Sequence, residues 1–330
     1  MRILLAPMEG VIDAPMRRLL TGIGGYDACV TEFLRLSDGE LPERIYHKHF
    51  PELAQGSRTA SGTPVILQLL GSDPELLAVS ARRAVHLGAT AIDLNFGCPS
   101  RFVNRKGGGA ALLREPERIH DIVRAVRRAL PGEIPVSAKM RLGYDAPDNA
   151  VEISLGIQEA GADFLTVHAR TREDGYRAPV RWQWLRSIND ALKIPVIANG
   201  DINSVDDWRR CHEVSGCRHA MLGRGALMQP DLALQLRAWQ EGREIAAMQW
   251  PTIRLLLPRL LEQYAPGTRG LSARLKQWLG MLRLRHTGAD KVFAQIRSLR
   301  ELGRILEIVG RADVPAHISG RPTGDGHACQ

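Results

Sequence analysis

Polar residues stand in this 330-residue chain directly after a series of short apolar runs, and their types suit recognition of a heterocycle. Gln68 and Asn95 each offer a donor and an acceptor to the edge of such a ring. Lys139 is cationic and would stabilise negative charge that develops on the ring. Gly200, Gly223 and Gly225 lie at the ends of the last two runs, where barrels hold phosphate through backbone N–H groups. The set predicts a site for a phosphorylated heteroaromatic cofactor.

Cys98 lies in a Gly-Cys-Pro segment after one of these runs, shortly before three consecutive glycines at 107–109. A lone cysteine is usually a small buried hydrophobe, but this position favours an exposed thiol with a chemical role. It would act as a nucleophile if its pKa were depressed, or as a general acid at its reference pKa of about 8.5. Residues 101–111 form either a plain surface loop or a mobile lid over substrate.

Eight apolar runs position these residues, and their composition is typical of strands buried on both faces. They cover 3–8, 28–33, 64–70, 91–96, 135–140, 164–169, 195–200 and 219–224. Segments with helical spacing, such as 74–88 and 116–130, lie between them. This alternation predicts an α/β fold, a (β/α)8 TIM barrel. A doubly wound open sheet is the structural alternative, which the absence of a G-x-G-x-x-G after the first run weakens.

The strand pattern stops at residue 242, and apolar residues continue at helical spacing. The three helical segments are 252–264, 271–286 and 291–309. Pro258 is expected to kink the first of them. We therefore expect a catalytic barrel over 1–242, a small all-α helical bundle over 243–311 and a flexible tail over 312–330.

The formal net charge of +8 is concentrated in one segment of the chain. Residues 1–242 carry a net charge of +1, residues 243–311 carry +8 and residues 312–330 carry −1. A basic segment of this kind indicates an anionic partner such as nucleic acid. Arg greatly outnumbers Lys, which suits bidentate phosphate contacts and equally fits a bias in codon composition.

The composition excludes several classes of protein. Apolar residues make up 44% of the chain and charged residues 24%, as in ordinary globular proteins. No apolar run is long enough to span a bilayer, and the first ten residues lack the pattern of a signal peptide. Five scattered cysteines without a C-x-x-C pair fit a reducing compartment. We expect a cytoplasmic monomer with no bound metal and no membrane partner.

Several stretches resemble the tRNA-dihydrouridine synthase family, and with the helical region the resemblance extends over about residues 1–310. DLNFGCPS at 93–100, followed by KGGGAALL at 106–113, is specific to that family. The remaining stretches are LAPMEGVID (5–13), LQLLG (67–71), KMRLG (139–143), HAR (168–170), ANGDI (198–202) and LGRGAL (222–227). The helical region most resembles the C subfamily, which reduces uridine 16 of tRNA.

The resemblance implies a flavin-dependent oxidoreductase with bound FMN, NADPH as reductant and tRNA as substrate. Hydride would pass from reduced FMN to C6 of uracil while Cys98 protonates C5, and Asn95 would hold the base. The implied FMN contacts are Pro7, Met8, Glu9, Gln68, Lys139, His168, Asn199, Gly200, Asp201, Gly223 and Arg224. The implied tRNA contacts are Arg35 and Tyr176 at the barrel mouth and Arg274, Lys276 and Arg297 in the helical region.

Three alternatives stay open at this point. One is a flavin barrel that reduces a free pyrimidine, as dihydroorotate dehydrogenases do; the basic helical segment argues against it. Another is reduction of a different uridine of tRNA, because the position depends on how the RNA is oriented over the mouth. The third is an RNA-binding or chaperone protein on an inactive barrel.

A uracil in folded RNA must be extruded to reach a barrel mouth, and a basic domain would hold the phosphates of the RNA while the base enters.

Overall fold

The structure is a computed structural model that describes residues 1–37 and 39–311. The tail predicted over 312–330 lies outside these residues. None of the helices in the described part of the chain has the length and apolar character that crossing a bilayer requires.

The chain divides into two compact units, Met1–Met248 and a second that begins at Gln249. The sequence pattern predicts this boundary after residue 242, where the strand and helix alternation ends. Hydrogen bonds explain the difference, because the last residue of the first unit is tied to that unit through both backbone groups. Its N–H donates to Asp231 Oδ2 at 2.8 Å, and its carbonyl accepts from Gln229 Nε2 at 3.0 Å.

Parallel strands close the first unit into a barrel. They are β1 (Ile3–Leu5), β2 (Ala28–Val30), β3 (Leu34–Arg35), β4 (Val65–Leu70), β5 (Ile92–Phe96), β6 (Val136–Arg141), β7 (Phe164–His168), β8 (Val196–Asn199) and β9 (His219–Leu222). β1 pairs with β2 and β9, and β2 also pairs with β4, which closes the ring. β2 pairs with the first half of β4, and β3 pairs with its second half. The short strands β2 and β3 therefore occupy one of the eight strand positions of the barrel. The predicted eight-stranded TIM barrel is confirmed.

Helices connect the strands of this unit. They are α1 (Ala14–Ile23), α2 (Glu43–His49), α3 (Pro74–His86), α4 (Arg101–Arg105), α5 (Pro116–Ala129), α6 (Ala150–Glu159), α7 (Gln183–Ala191), α8 (Val205–Ser215), α9 (Arg224–Met228) and α10 (Leu232–Gln240). In α5 the buried residues are Ile119, Ile122, Val123 and Val126. Their spacing of three and four residues places one apolar stripe on the inner face. Short 3₁₀ helices cover Pro51–Gln55 and Gly109–Arg114.

The barrel interior changes from apolar to polar along the strands. Its apolar cluster is Leu4, Ala6, Val30, Ile66, Phe164, Ile197 and Met221. Residues two positions further along a strand point to the same face. Gln68 therefore follows Ile66, His168 follows Thr166, and Asn199 follows Ile197 into the interior. The carboxyl ends of the strands consequently carry the polar groups of the barrel.

The second unit is entirely helical over its described residues. Its helices are α11 (Trp250–Ile253), α12 (Leu256–Leu261), α13 (Leu271–Leu282), α14 (Thr287–Ile296) and α15 (Leu302–Arg311). The expected kink at Pro258 is a complete break, because proline donates no N–H to the carbonyl of Arg254 and clashes with it. That carbonyl accepts from Leu257 N–H at 3.2 Å instead. Trp278 on α13 is 2% exposed, which makes it one of the largest buried side chains of this unit.

Candidate active site

A cavity of about 340 Å³ opens at the carboxyl ends of the barrel strands, a size typical of small-molecule sites. It brings together all the predicted cofactor contacts, the predicted catalytic thiol and two of the predicted substrate contacts. These residues are Pro7, Met8, Glu9, Gln68, Asn95, Cys98, Lys139, His168, Tyr176, Asn199, Gly200, Asp201, Gly223 and Arg224. Arg35 lies outside this cavity and lines a smaller one. Arg274, Lys276 and Arg297 belong to the second unit.

A chain of buried hydrogen bonds runs from β5 and β4 to the backbone at Cys98. Gln68 Nε2 donates to Asp93 Oδ2 at 2.7 Å, and Asn95 Nδ2 donates to Gln68 Oε1 at 2.8 Å. Asn95 Oδ1 then accepts from the N–H groups of Gly97 and Cys98, both at 2.9 Å. Ser137 Oγ donates to the other carboxylate oxygen of Asp93 at 2.6 Å.

The two ends of this chain fix the orientation of both amides. Backbone N–H groups can only donate, so the Asn95 oxygen must face Cys98 and its nitrogen must face Gln68. The Gln68 oxygen is then the acceptor, and its nitrogen faces Asp93. The carboxylate of Asp93 accepts from both Gln68 and Ser137, which suits its ionised form. This holds even though burial raises the pKa of Asp93. The network therefore has one hydrogen-bonding direction.

Further hydrogen bonds hold Cys98 by its backbone and leave its thiol in the cavity. Its carbonyl accepts from Asn104 Nδ2 at 2.8 Å and from the N–H of Ala110 at 3.1 Å. Burial is the main cause that raises the pKa of the Cys98 thiol above its ordinary value, and Lys139 lowers it by a smaller amount. The thiol is therefore protonated at neutral pH and suits a proton donor better than a nucleophile.

Gly109 explains why glycines follow the cysteine. Its φ is +61°, in the left-handed region that side chains disfavour. A Cβ at this position would lie 3.0 Å from both the Cβ and the carbonyl oxygen of Cys98. The glycine backbone thus packs directly against Cys98, and a larger residue would displace it. Residues 101–111 form α4 and the start of the following 3₁₀ helix.

Lys139 and His168 give the cavity donors that differ in charge. Burial, with a further contribution from Arg141, lowers the pKa of Lys139 to about 8, so its ammonium form dominates only below that pH. Burial and the surrounding cations, Arg141 and Lys139 first among them, hold the pKa of His168 well below its ordinary value. His168 is therefore neutral at physiological pH, and its ring centroid lies 6.1 Å from that of Tyr176.

Asp201 holds two arginines at the end of β8. Its carboxylate accepts from Arg170 and, at 2.5 Å, from Arg224. Burial favours the neutral acid, but the hydrogen bonds and charge of Arg170 and Arg224 outweigh it and lower the pKa of Asp201. Asp201 also has a φ of +47°, rare for a residue other than glycine. The structure thus gives this residue a role in positioning Arg224.

Four residues that contribute to the site lie outside the predicted set, namely Asp93, Ser137, Arg141 and Arg170. Arg141 joins two loops, donating to the carbonyl of Gly97 at 2.8 Å and to those of Thr171 and Gly175 at 3.0 and 2.9 Å. Strand alternation could have identified three of the four. Asp93 is two residues before Asn95, and Ser137 and Arg141 flank Lys139 at the same spacing. The role of Arg170 depends on Asp201, which no such pattern predicts.

The predicted tRNA contacts of the second unit have intramolecular partners as well. Arg274 Nε donates to the hydroxyl of Tyr264 at 2.8 Å. The ammonium of Lys276 donates to the carbonyl of Arg297 at 3.2 Å and also to that of Leu299. It therefore caps the end of α14. The side chain of Arg297 is exposed.

The described residues contain no group of three or more His, Cys, Asp or Glu side chains arranged to hold a metal ion. The chemistry of the cavity thus comes from a thiol, a lysine, arginines, a neutral imidazole and amides. Such a set can hold a polar heterocycle and a phosphate, and it can deliver a proton from sulfur.

Solved structures with a similar fold include 2-naphthoyl-CoA reductase in complex with 2-naphthoyl-CoA, with a TM-score of 0.55 and 14% identity over 73% of this chain. Histamine dehydrogenase from a Rhizobium species gives a TM-score of 0.54 and 14% identity over 79% of this chain. The chain spans about half the length of each, 50% and 49%. At this identity the similarity supports the barrel fold alone.

Sequence comparisons are more specific. A protein named tRNA-dihydrouridine(16) synthase in Pseudomonas putida is 49% identical over 318 residues, which cover 94% of this chain and 97% of the relative. Proteins of the same name in Neisseria meningitidis serogroup B and Vibrio parahaemolyticus are 46% and 45% identical, over 93% and 94% of this chain and 93% and 96% of their own lengths. The model of the dihydrouridine synthase family matches residues 4–292. Because these matches span the barrel, the site and most of the second unit, the chain belongs to the dihydrouridine synthase family.

Proposed function

We propose that the chain is an FMN-dependent tRNA-dihydrouridine synthase that reduces the C5–C6 double bond of uridine 16, with NADPH as the reductant. The observation that carries the proposal is the protonated thiol of Cys98 in the same cavity as Lys139 and Arg224. The relatives named for position 16 match along nearly their whole lengths, which supports that uridine as the target.

The donors of the cavity fit a flavin mononucleotide. Gln68 keeps one amide N–H beyond the one bound to Asp93, and Lys139 offers an ammonium, both suited to ring carbonyls. The guanidinium of Arg224 has five N–H donors, and its ion pair with Asp201 leaves others for a phosphate. Gly200, with a φ of +117°, presents backbone without a side chain to the same cavity.

The remaining pocket residues complete the cofactor site under this proposal. Pro7, Met8 and Glu9 lie at the flavin ring, His168 contacts the ring or ribityl chain, and Asn199 and Gly223 line the ribityl and phosphate path. Asp201 contributes by holding Arg224, because its charge is already matched by two arginines. Bound FMN, once reduced by NADPH, supplies the hydride for C6 of the uracil.

Cys98 supplies the other hydrogen, a proton that passes from Sγ to C5 of the uracil. Because burial raises the pKa of the thiol, the proton is present at neutral pH without further activation. The charges of Arg141 and Lys139 favour the thiolate that the transfer leaves behind. Water then returns a proton to sulfur, so the thiol is restored in each turnover.

Asn95 holds the uracil, and its hydrogen bonds restrict how it does so. Both lone pairs of Oδ1 are taken by the backbone at Gly97 and Cys98, and one Nδ2 hydrogen is taken by Gln68. The group left for a substrate is the second N–H of the amide. Asn95 therefore donates to a carbonyl oxygen of the pyrimidine and does not accept from its N3–H.

The tRNA contacts come from both units in this proposal. The target uridine leaves its stack to enter the mouth, where Arg35 and Tyr176 contact the RNA. Arg274, Lys276 and Arg297 bind phosphates from the basic second unit, whose segment 243–311 carries the net charge of +8.

A purified sample tests the proposal in two steps. The protein should be yellow, and heating should release FMN rather than FAD, as identified by chromatography. NADPH should then be consumed continuously only when unmodified tRNA is present. A colourless protein that cannot be loaded with FMN, or continuous turnover with free uracil or uridine in place of tRNA, would reject the assignment.

A further inference from the structure

Phe102, on α4, is an exposed aromatic residue that the proposed reaction does not use. It is 54% exposed, the environment in which a phenyl ring is least favourable. The guanidinium carbon of Arg35 lies 4.4 Å from the centre of its ring, and the Lys106 ammonium lies 5.7 Å from it. Two cations from separate segments therefore converge on one exposed ring.

Among the residues that the structure describes, these cations lack a carboxylate partner such as the one that Arg170 and Arg224 share in Asp201. Arg224 also contacts a tyrosine ring, but it forms an ion pair with Asp201. In the part of the chain that the structure describes, no carboxylate forms an ion pair with Arg35 or Lys106. Their positive charges are consequently available to an anionic ligand.

Arg35 and Lys106 also line a separate cavity of about 100 Å³, together with Ser72 and Asp73. The carboxylate of Asp73 is engaged at the start of α3, where it accepts from the N–H of Leu76 at 2.9 Å. The two cations outnumber this one carboxylate, so the cavity is positively charged overall, and with the hydroxyl of Ser72 it suits a phosphate group. The exposed ring beside them suits the flat face of a base.

The geometry points to a nucleotide subsite formed by Phe102, Arg35 and Lys106, which binds the RNA residue that flanks the target uridine. The base of that residue stacks on Phe102, and its phosphate lies between the two cations. This inference rests on the proposed function. Phe102 follows Cys98 by only four residues in the sequence. The ring therefore belongs to the segment that directly follows the thiol proposed to meet the uracil.

The extrusion of a base explains why such a subsite is useful. When the target uridine leaves the helix or loop, its neighbour loses one stacking partner. An aromatic side chain that takes the vacated place recovers part of that energy, and stacking of this kind tolerates any base. The subsite would thus hold the RNA in its open conformation without reading its sequence.

Substitutions at residue 102 test the subsite through tRNA affinity and through kinetics. Phe102→Ala should weaken tRNA binding and raise the KM for tRNA about 10-fold, because the stacking of one base is removed. Phe102→Trp keeps an aromatic face and should bind tRNA as the original protein does. Val214→Ala, which changes another exposed apolar residue on α8, is the matched control and should have no effect.

The cations are tested separately by salt dependence. The double variant Arg35→Ala, Lys106→Ala should lower the slope of log affinity against log salt concentration by about one to two, because each cation that no longer binds a phosphate lowers the slope by about one. The KM for NADPH and the rate of flavin reduction without tRNA should stay unchanged in the variants of residue 102, since the subsite holds RNA.

Two results would overturn the subsite. One is unchanged tRNA affinity in Phe102→Ala; the other is a raised KM for NADPH with tRNA affinity intact, which would assign the ring to the nucleotide of the reductant. Either outcome leaves the proposed function standing, provided that the original protein forms dihydrouridine in the same assay. Failure of the original protein to form dihydrouridine would instead reject the proposed function.

Discussion

At the scale of single residues, the thiol of Cys98 is free to react because the protein holds the residue by its backbone. Asn95 accepts from its N–H, while Asn104 and Ala110 donate to its carbonyl. The thiol takes no part in these bonds, although it also accepts from the backbone N–H of Ser100, so its replacement should preserve most of the loop geometry. The role of the sulfur can therefore be separated from the structure around it.

Replacement of Cys98 by Ala should leave FMN binding unchanged and lower the rate of dihydrouridine formation by about 100-fold or more, the usual effect of removing a general acid. The measurement pairs a flavin absorbance spectrum with mass spectrometry of the tRNA. In the unaltered protein the rate should decline at high pH, as the pH rises through the raised pKa of the thiol and its proton is lost. Full activity in the variant would refute the assigned role.

Lys139 should make FMN binding depend on pH. Its pKa is lowered to about 8, so the ammonium is present below that pH and is lost as the pH rises through it. FMN affinity should consequently fall about 10-fold across this range, the effect of losing one charged hydrogen bond. The FMN affinity is measured by adding FMN to the FMN-free protein at pH values on both sides of pH 8. Lys139→Arg is the control, because its side chain stays charged over this range. A flat profile in the original protein would contradict this role of Lys139.

Asp93 should control the site although it touches neither the proposed cofactor nor the substrate. Asp93→Ala leaves the Gln68 amide without its acceptor, which frees Asn95 and the backbone at Cys98. The kcat should fall about 100-fold for a displacement of this kind, with a smaller change in the KM for tRNA. Asp93→Asn retains an oxygen for Gln68 and should recover most of the rate. Equal loss in both variants would show that the negative charge, rather than the hydrogen bond, is what matters.

At the scale of elements, strand alternation predicts most of the barrel and of its polar end. The runs at 91–96 and 135–140 give β5 and β6 nearly to the residue. The short strand β3 was not predicted, because it lies just beyond the apolar run at 28–33, which contains only β2. The direction of the hydrogen bonds from Asn95 through Gln68 to Asp93 could not be predicted from the sequence either. It depends on which atom of the Asn95 amide meets a backbone N–H.

Gly109 tests how the loop after β5 supports the thiol. Gly109→Ala introduces a side chain at a φ of +61° and places its Cβ against Cys98. We expect a loss of about 1–2 kcal/mol in the free energy of unfolding from the backbone strain, together with a lower kcat. Urea unfolding and turnover measure the two effects. Gly132→Ala is the control, because a Cβ there meets no atom within 4 Å.

At the scale of the whole molecule, the positive charge and the chemistry belong to different segments of the chain. Residues 1–242 are nearly neutral and contain the cavity, whereas 243–311 carry a net charge of +8. The sequence alone predicts this division, since it depends only on residue types. It does not predict that Lys276 caps α14, because that hydrogen bond depends on how α13 packs against the end of another helix.

The second unit should therefore respond differently to two substitutions. Arg297→Ala removes an exposed side chain and should lower the salt slope of tRNA binding by about one, with no change in Tm. Lys276→Ala should lower both the salt slope and the Tm, because its ammonium also caps the carbonyls of Arg297 and Leu299. Arg209→Ala, which removes an exposed arginine of α8, is the matched control. An unchanged slope in Arg297→Ala would place the RNA elsewhere.

Our main proposal is that this protein reduces uridine 16 of tRNA. The decisive assay incubates the purified protein with FMN, NADPH and unmodified tRNA, and then maps dihydrouridine by mass spectrometry of nuclease fragments. We expect dihydrouridine at position 16 and at no other uridine, formed only when NADPH is present. Reduction at a different position, or tRNA that stays unmodified while the protein holds FMN, would contradict the proposal.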